Sequence, residues 1–268
     1  MNNLHRELAP ISAKAWEQIE QEAARTLKRH LAARRVVDVL GPKGPEYSAV
    51  GTGHLDVIQP PDAGIEAWLR DVKALVQLRV PFELTRRAID SVERGANDPD
   101  LQPLKDAAQK IAFAEDRAVF EGYELAHIRG IHKGSSNKAI ALPKHVEGYP
   151  AAVAQAVSQL RDMGVNGPYT LLLGEGPYTT VSAATQEGYP IIRDMRNLVD
   201  GEIIWAPAIS GGVVLSTRGG DFELHLGQDI SIGYLGHSES AVRLYFQETF
   251  TFLQLTAEAA VVLSPSGK

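Results

Sequence analysis

The C-terminal third of the chain carries the pattern that most restricts the fold, a long alternation of apolar and polar residues. Apolar side chains stand at every second position in two stretches, at Phe222, Leu224, Leu226, Leu244, Phe246, Phe250 and Phe252. The residues between them are more polar, namely Glu223, His225, Arg243, Tyr245, Gln247, Thr249 and Thr251. A period of two is that of β-strands, and this one predicts a sheet with one dry face and one solvated face. Only Glu248 breaks the apolar series.

Two other segments have the spacing of amphipathic helices. In residues 12–31 apolar residues recur at intervals of three and four, behind Ser12, a residue type favoured at helix N-termini. Residues 103–121 repeat this spacing between Pro103 and Gly122, which are typical of a helix start and a helix end. From about residue 134 helical and strand patterns alternate, with helices at 152–163, 177–184 and 191–199 and strands at 169–173, 203–207 and 213–217. The predicted fold class is therefore α+β.

Residues 46–75 fit neither pattern. The preceding stretch Gly41-Pro-Lys-Gly-Pro45 breaks the chain, and short strand-like runs follow among glycines and prolines. These residues are expected to form an irregular arm, consistent with a protruding hairpin. The unpaired edges of such an arm can be satisfied by strand addition to another chain.

Composition restricts the functions that are open to the chain. It has 268 residues, enough for one large or two modest domains, and a net charge of −6. An acidic chain is a poor coat for a genome, because neutralising phosphates needs surplus Lys and Arg. The lack of cysteine excludes disulfides and thiolate metal sites. The first residues carry no apolar export segment, and no apolar run approaches the ~20 residues of a membrane span. A soluble, cytoplasmic protein without nucleic-acid or membrane partners is expected.

No motif carries an identifiable chemistry. The stretch Gly174-Glu-Gly-Pro-Tyr178 follows a predicted strand, but Thr179 replaces the third glycine of a dinucleotide loop and Pro177 removes a donor. The eight histidines form no HExxH and do not cluster with carboxylates at metal-ligand spacing. Glu115 and Asp116 are expected to be solvated or salt-bridged carboxylates, not a catalytic pair. The sequence thus predicts no catalytic residue, no metal site and no cofactor.

A basic run lies at the end of the first predicted helix, formed by Arg25, Lys28, Arg29, His30, Arg34 and Arg35. It is either a binding surface for an acidic or nucleic-acid partner or a solvated helix face. The run has no interleaved aromatic residues on which bases would stack, and this favours the solvated face.

Short fragments along the chain together resemble one family. They are Asn3-Leu-His-Arg-Glu-Leu-Ala-Pro10, Trp16, Arg34-Arg-Val-Val-Asp-Val39, Leu78-Arg-Val-Pro-Phe-Glu-Leu84, Asp90-Ser-Val-Glu-Arg-Gly95, Phe113-Ala-Glu-Asp116, Phe120-Glu-Gly122 and Gly167-Pro-Tyr-Thr170. With the C-terminal stretch, their order and spacing resemble the encapsulins, bacterial shell proteins with the coat-protein fold of HK97-type tailed phages. The nearest members are those once described as linocin-type bacteriocins. The resemblance covers nearly the whole chain.

The resemblance implies an architecture and a function. It implies a peripheral domain of residues 1–45, 76–133 and 225–268, an extended loop of residues 46–75, and an axial domain of residues 134–224. Such a chain self-assembles into a hollow icosahedral nanocompartment, expected here with T=1 symmetry and ~60 copies. The shell would enclose a cargo enzyme recruited by a C-terminal targeting peptide, often a dye-decolourising peroxidase or a ferritin-like protein. The competing interpretations are a phage-type coat protein and a linocin-like bacteriocin or hydrolase.

Two sets of site residues follow from the resemblance alone. The helix at 12–31 would line the shell interior. The residues that match the cargo-peptide region, a shallow apolar groove with charged rims, are Leu27, Leu31, Arg34, Val36, Asp38, Asp229 and Ile230. The residues that match the loop around the five-fold pore are Gln186, Glu187, Gly188 and Tyr189. Five copies of Glu187 would surround one opening and favour cations.

Overall fold

The computed structural model of the chain describes residues 3–186 and 188–265. In chain order the helices are α1 (Ala13–His30), α2 (Arg86–Glu93), α3 (Gln102–Phe120), α4 (Gly130–Gly134), α5 (Tyr149–Asp162), α6 (Glu175–Ala183) and α7 (Ile191–Leu198). The strands are β1 (Asp38–Leu40), β2 (Ala49–Ile58), β3 (Ala67–Ala74), β4 (Val76–Thr85), β5 (Ile140–Ala141), β6 (Tyr169–Leu173), β7 (Thr185–Gln186), β8 (Tyr189–Pro190), β9 (Ile203–Trp205), β10 (Gly212–Ser216), β11 (Phe222–His237), β12 (Ala241–Gln254) and β13 (Ala260–Ser264). The predicted α+β class is confirmed.

The two C-terminal strands form the centre of a four-stranded sheet with the order β1-β11-β12-β4. β11 and β12 pair antiparallel, β4 adds to β12 antiparallel, and β1 runs parallel to β11. A register shift interrupts the β11–β12 ladder between Gln228 and Ser231. The bulge leaves Asp229 and Ile230 outside the regular pairing, so their backbone groups depend on partners other than the ladder.

The prediction of a solvated face on this sheet is wrong, because Tyr245, Gln247 and Thr251 are all buried. Arg79 of the neighbouring β4 covers the first two. It donates to Gln247 Oε1 over 2.6 Å, and its guanidinium lies 4.0 Å from the centre of the Tyr245 ring. The Tyr245 hydroxyl also donates to the carbonyl of Asn3, so the N-terminal residues contact this face. The alternation within one strand cannot show that residues distant in the sequence bury its polar face.

The apolar face of the sheet packs against α1 and α3, whose positions confirm the two predicted amphipathic helices. Ser12 accepts a hydrogen bond from Ala15 N over 3.2 Å and thereby caps α1, as its residue type predicted. The helices and the sheet share one apolar cluster, which includes Ile19, Leu104 and Phe246. This cluster fixes the position of α1, whose end carries the candidate site.

Residues 46–75 contain the predicted protruding hairpin. β2 and β3 pair antiparallel in a two-stranded sheet, from Ala49 opposite Ala74 to Ile58 opposite Ala67. Many of its large apolar side chains are exposed, among them Leu55, Val57, Ile58, Trp68, Leu69 and Val72. The arm therefore gains little stability from apolar burial within its own subunit.

A second, five-stranded sheet has the order β5-β13-β10-β6-β9. β6 matches its predicted strand, β9 lies within its predicted strand, and β10 is shifted by one residue from the predicted strand at 213–217. The C-terminal strand is a correction: residues 225–268 were expected in the peripheral domain, but β13 pairs with β10 and β5 in the second sheet. Val261 and Leu263 are buried in that position, where apolar side chains are needed. The remaining division into peripheral, extended-loop and axial parts stays a prediction.

Candidate functional site

Arg34 is the centre of the residues expected in the peptide groove. It lies in the helical turn Ala33–Arg35 after α1, and only 18% of its side chain is exposed. Nε and Nη2 donate to the Glu115 carboxylate over 2.6–3.0 Å, and Nη1 donates to Asp229 Oδ1 over 2.7 Å. Burial lowers the pKa of Arg34, but its hydrogen bonds and charge contacts with Glu115 and Asp229 outweigh burial and raise it. Arg34 thus remains a cation that is committed to partners within its own subunit.

Asp116 holds the same turn from the side of α3. Its Oδ2 and Oδ1 accept hydrogen bonds from the backbone N–H groups of Ala32 and Ala33, each over 2.9 Å. Burial raises the pKa of Asp116 to about 7, although the two N–H donors lower it. Glu115 and Asp116 are both fully buried, so the expectation of solvated carboxylates is wrong, while the salt-bridged alternative is right for Glu115.

Glu248, the residue that breaks the apolar series of β12, is the third carboxylate beside Arg34. It is fully buried, and its Oε2 lies 3.6 Å from Arg34 Nη2. Within the described residues neither of its oxygens has a hydrogen-bond partner. Burial, and then the charge of Glu115, raises the pKa of Glu248 well above its usual range. The sequence pattern singled out Glu248 but gave no indication of its partner.

Leu27 and Ile230 supply apolar surface at the same end of α1. Leu27 comes from the last turn of that helix and Ile230 from the β11 bulge, and both are half-buried against one apolar cluster. Leu31, directly after the helix, is also half-buried. Ile230 N donates to Asp229 Oδ1 over 2.7 Å, the oxygen that also accepts from Arg34. Asp229 thus links the apolar residue Ile230 to the Arg34 cluster, which consists of Arg34 and the carboxylates of Glu115, Asp229 and Glu248.

Val36 and Asp38 have different surroundings. Val36 is 6% exposed and belongs to the core shared by the two sheets, so it cannot contact a bound peptide without a local opening. Asp38, in β1, accepts a hydrogen bond from Gly220 N over 2.6 Å. It lines a cavity of about 190 Å³ together with Arg35 and Ser216. Val36 therefore does not extend the apolar surface of Leu27 and Ile230.

Most of the basic run is exposed, as the solvated-face interpretation predicted: only His30 and Arg34 of its six residues are partly buried. The guanidinium of Arg29 lies 5.7 Å from the centre of the Trp205 ring, and the His30 ring lies 5.8 Å from it. His30 also contacts Phe113 edge to face. These aromatic residues come from β9 and α3, so inspection of the run itself could not find them.

Glu187, one of the four predicted pore residues, lies outside the described residues. Gln186 and Tyr189 pair across the β7–β8 ladder, and Gly188 has a φ of +84°, a conformation that glycine adopts without strain. Tyr189 is 71% exposed. Gln186, Gly188 and Tyr189 are all exposed, while their place around a pore stays a prediction.

A cavity of about 570 Å³ lies at the root of the arm and is lined in part by His54, His127 and His225. His225 Nε2 lies 2.7 Å from Glu223 Oε2. Across residues 3–186 and 188–265, no three or more His, Cys, Asp or Glu side chains come together in a way that could hold a metal ion. None of the helices in this part of the chain is both long and apolar enough to cross a membrane.

Comparison with known proteins gives matches over nearly the full length of the chain. The family model Linocin_M18, described as encapsulating protein for peroxidase, matches residues 1–251. The type 1 encapsulin shell proteins of Rhodococcus erythropolis and Mycobacterium tuberculosis are each 56% identical to this chain, and that of Brevibacterium linens is 57% identical. Each of these alignments covers 98% of this chain and 100% of the relative.

Solved structures share the fold at low sequence identity. A virus-like particle from Pyrococcus furiosus matches with a TM-score of 0.67 at 14% identity, over 94% of this chain and 100% of that one. The capsid of Myoviridae phage XM1 matches with a TM-score of 0.54 at 11% identity, over 88% of this chain and 92% of that one. At these identities the likeness concerns the fold, which is that of HK97-type coat proteins.

Proposed function

This chain belongs to the type 1 encapsulin shell protein family, and we propose that it closes with copies of itself into a T=1 icosahedral shell of ~60 subunits around a cargo enzyme. The family consists of structural shell proteins, and the chain is a shell protein and not an enzyme. The likeness to phage capsids concerns the fold, and the relatives at 56% identity are encapsulins, so neither the phage-coat nor the bacteriocin interpretation is adopted.

The apolar face of the arm is the observation that carries the assembly proposal. Strand alternation and the β2–β3 register put Leu55, Val57, Trp68 and Val72 on one face of the hairpin, with Arg70 opposite Leu55 on the same face. Val57 is 82% exposed, and each of the other three apolar side chains is at least 50% exposed. Burying one such side chain against another subunit contributes about 1.5–3 kcal/mol. The same contact repeated by rotation closes rings, and rings of this kind close a shell.

The proposed cargo is a dye-decolourising peroxidase or a ferritin-like protein that is held through its C-terminal peptide. Leu27, Leu31 and Ile230 are half-buried apolar side chains beside Asp229, whose carboxylate is half-exposed. Apolar surface with a charged rim suits a short peptide that carries apolar residues and a basic one. Cargo must be enclosed while the shell closes, so both proteins have to fold in one compartment, which we take to be the cytoplasm where they are made.

The turn at 186–189 is the proposed pore loop. Five copies around an icosahedral vertex would surround one opening, with Tyr189 exposed and Gly188 at the tip of the turn. A ring of Glu187 carboxylates would then favour the passage of small cations over anions.

Expression of this chain without any cargo tests the shell itself. Size-exclusion chromatography and electron microscopy should show hollow particles of uniform size. A stable monomer at micromolar concentration would contradict the proposal. Recruitment is tested separately by co-expression with a fluorescent protein that carries the C-terminal segment of a dye-decolourising peroxidase from the same genome. The matched control is the same fluorescent protein without that segment, which should stay outside the shells.

A further inference from the structure

The cluster around Arg34 contains more carboxylates than one guanidinium can balance. Glu115 and Glu248 have no exposed side-chain surface, and 46% of the Asp229 side chain is exposed. If all three were ionised, one cation would face three negative charges at a place from which water is largely excluded. Removing charges from water without full pairing is strongly unfavourable, so the cluster favours holding a proton.

Glu248 is the carboxylate that holds this proton. Glu115 receives Arg34 Nη2 at 2.6 Å, whereas Glu248 lies 3.6 Å from the same nitrogen and receives no hydrogen bond from the described residues. Burial and the nearby charge of Glu115 raise the pKa of Glu248, which agrees with this geometry. Glu248 therefore keeps its proton to a higher pH than a solvent-exposed carboxyl does.

Several elements pack around Glu248. The charged and titratable groups that face it are Arg34 from the turn after α1, Glu115 from α3, and Asp229 from the β11 bulge. Asp116 of α3 acts on Glu115 and Arg34. Opposite Glu248, β4 places the apolar Leu78. Arg79 of β4 is engaged with Gln247 on the other side of the sheet and offers Glu248 no positive charge. Arg34 is thus the cation available to an ionised Glu248.

A short chain of contacts leads from this proton to the surface. Asp229 Oδ1 accepts hydrogen bonds from both Arg34 Nη1 and Ile230 N, each over 2.7 Å. The β11 bulge has no regular ladder bonds at these residues, so the Asp229 carboxylate takes their place in fixing the backbone of Ile230. Whatever removes Asp229 from Arg34 therefore loosens Ile230.

We propose that the protonation state of Glu248 controls whether the β11 bulge is held in place, and we call this arrangement the latch. While Glu248 is protonated, Arg34 holds Asp229. When Glu248 ionises, Arg34 turns towards it and releases Asp229, which of the three carboxylates is the one that water can solvate at least cost. The closed state is the one in which Arg34 holds Asp229. Because the pKa of Glu248 is raised in this state, its contribution to the stability of the closed state is complete at low pH and is lost as the pH rises through the Glu248 pKa. The consequence for peptide binding at Leu27 and Ile230 rests on the proposed function, but the latch itself does not.

Hydrogen exchange measured by mass spectrometry on assembled shells tests the latch without any cargo. Exchange in residues 226–234 is followed from pH 6 to pH 10 and corrected for the intrinsic pH dependence of amide exchange. In the unmodified shell it should accelerate by about tenfold as the pH rises, the size expected when a charge-assisted hydrogen bond is lost. Glu248→Gln, neutral at every pH and similar in size, should stay protected throughout. The same pH response in both proteins, or no response in either, would overturn the latch.

Asp229→Asn supplies a second test that does not depend on the folding of the Glu248 variant. This change keeps the shape of the side chain but removes the charge that Arg34 holds, so exchange should already be fast at pH 6 and should not respond to pH. A response like that of the unmodified shell would also overturn the latch.

Reporter loading during reassembly of dissociated shells at pH 6 and pH 9 then separates the latch from the proposed binding surface. If exchange changes with pH while loading does not, the latch stands and the binding surface lies elsewhere. If exchange does not change, the latch fails whatever the loading shows.

Discussion

Arg34 and Glu115 are 81 residues apart in the sequence and form a bidentate ion pair, with Arg34 Nε at 2.9 Å and Nη2 at 2.6 Å from the carboxylate of Glu115. The pair joins the turn after α1 to the C-terminal part of α3, where Asp116 binds the backbone of Ala32 and Ala33. The end of α1, with Leu27 and Leu31, is therefore positioned by buried charges and not by apolar packing alone. The energetics of this pair can be measured.

Replacing Arg34 by Met should destabilise the subunit by about 3–5 kcal/mol, because Glu115 is left buried without its cation. The control is Arg35→Met. Arg35 pairs with Glu202 where both side chains are about half exposed or more, so its loss should cost no more than about 1 kcal/mol. Thermal unfolding at a fixed protein concentration measures both, since assembly makes the transition concentration-dependent. Equal effects of the two substitutions would mean that the Arg34 pair contributes no more than a surface pair.

Val57→Asp should prevent closure of the shell without unfolding the subunit. Val57 lies on the apolar face of the arm, and a charge there opposes burial against a neighbour. Asp56→Lys is the matched control, since Asp56 is the adjacent exposed residue and points to the other face of the hairpin. Negative-stain microscopy should show intact shells for Asp56→Lys and open or unassembled material for Val57→Asp. Uniform shells from both variants would show that this face is not a subunit contact.

Leu31→Asp and Ile230→Asp should each lower the affinity for the cargo peptide by one to two decades, since burial of a side chain of this size contributes about 1.5–3 kcal/mol. The shells themselves should form, because both residues are already half-exposed. Leu125→Asp, at an 87% exposed leucine in another region, is the control. Loading of the fluorescent reporter per shell is the measurement. Normal loading of both variants would place peptide binding elsewhere.

The hairpin of the arm was expected from short strand-like runs among glycines and prolines. Local periodicity was sufficient to predict α1, α3, β11 and β12, because each of these elements places its own apolar residues at a spacing that the sequence displays. The same reasoning failed for the second face of β12. Tyr245 and Gln247 look solvated in their own strand and are buried by Arg79 of β4, and the register that joins the two strands is not visible in either one.

The Arg34 cluster could be predicted only in part. Glu248 was conspicuous as a charge within an apolar series, and a buried charge requires a partner. Its neighbours Glu115 and Asp229 come from α3 and from a bulge whose register the sequence does not specify. Residues 260–264 were placed in the peripheral domain for a related reason: a short apolar run does not show which sheet it joins, and only the pairing of β13 with β10 and β5 decides this.

Charge at position 187 should control the entry of small cations if the 186–189 turn surrounds a pore. Glu187→Lys should slow the uptake of a cation into cargo-loaded shells, Glu187→Gln should have an intermediate effect, and added salt should reduce the differences. Lys144→Glu, a charge change outside the turn, is the control. Stopped-flow measurement with a cation-sensitive dye attached to the cargo gives the rates. Identical rates for the three residues at low salt would remove Glu187 from the pore.

His132 should make the subunit sensitive to acid. Its Nε2 is buried without a hydrogen-bond partner among the described residues, and its ring lies 6.3 Å from that of Phe120. Burial lowers the pKa of His132 from 6.5 to about 4, so between these values the unfolded chain binds a proton that the folded chain refuses. The contribution of His132 to the free energy of unfolding is therefore fully present above pH 6.5 and is lost as the pH falls towards 4, by about 3 kcal/mol in total.

His132→Leu removes the titrating group, so the free energy of unfolding of this variant should fall less between pH 7 and pH 4 than that of the unmodified protein. His145→Leu, at an exposed histidine, should leave the full loss in place. Parallel pH profiles for all three proteins would show that His132 takes up its proton as readily in the folded chain as in the unfolded one.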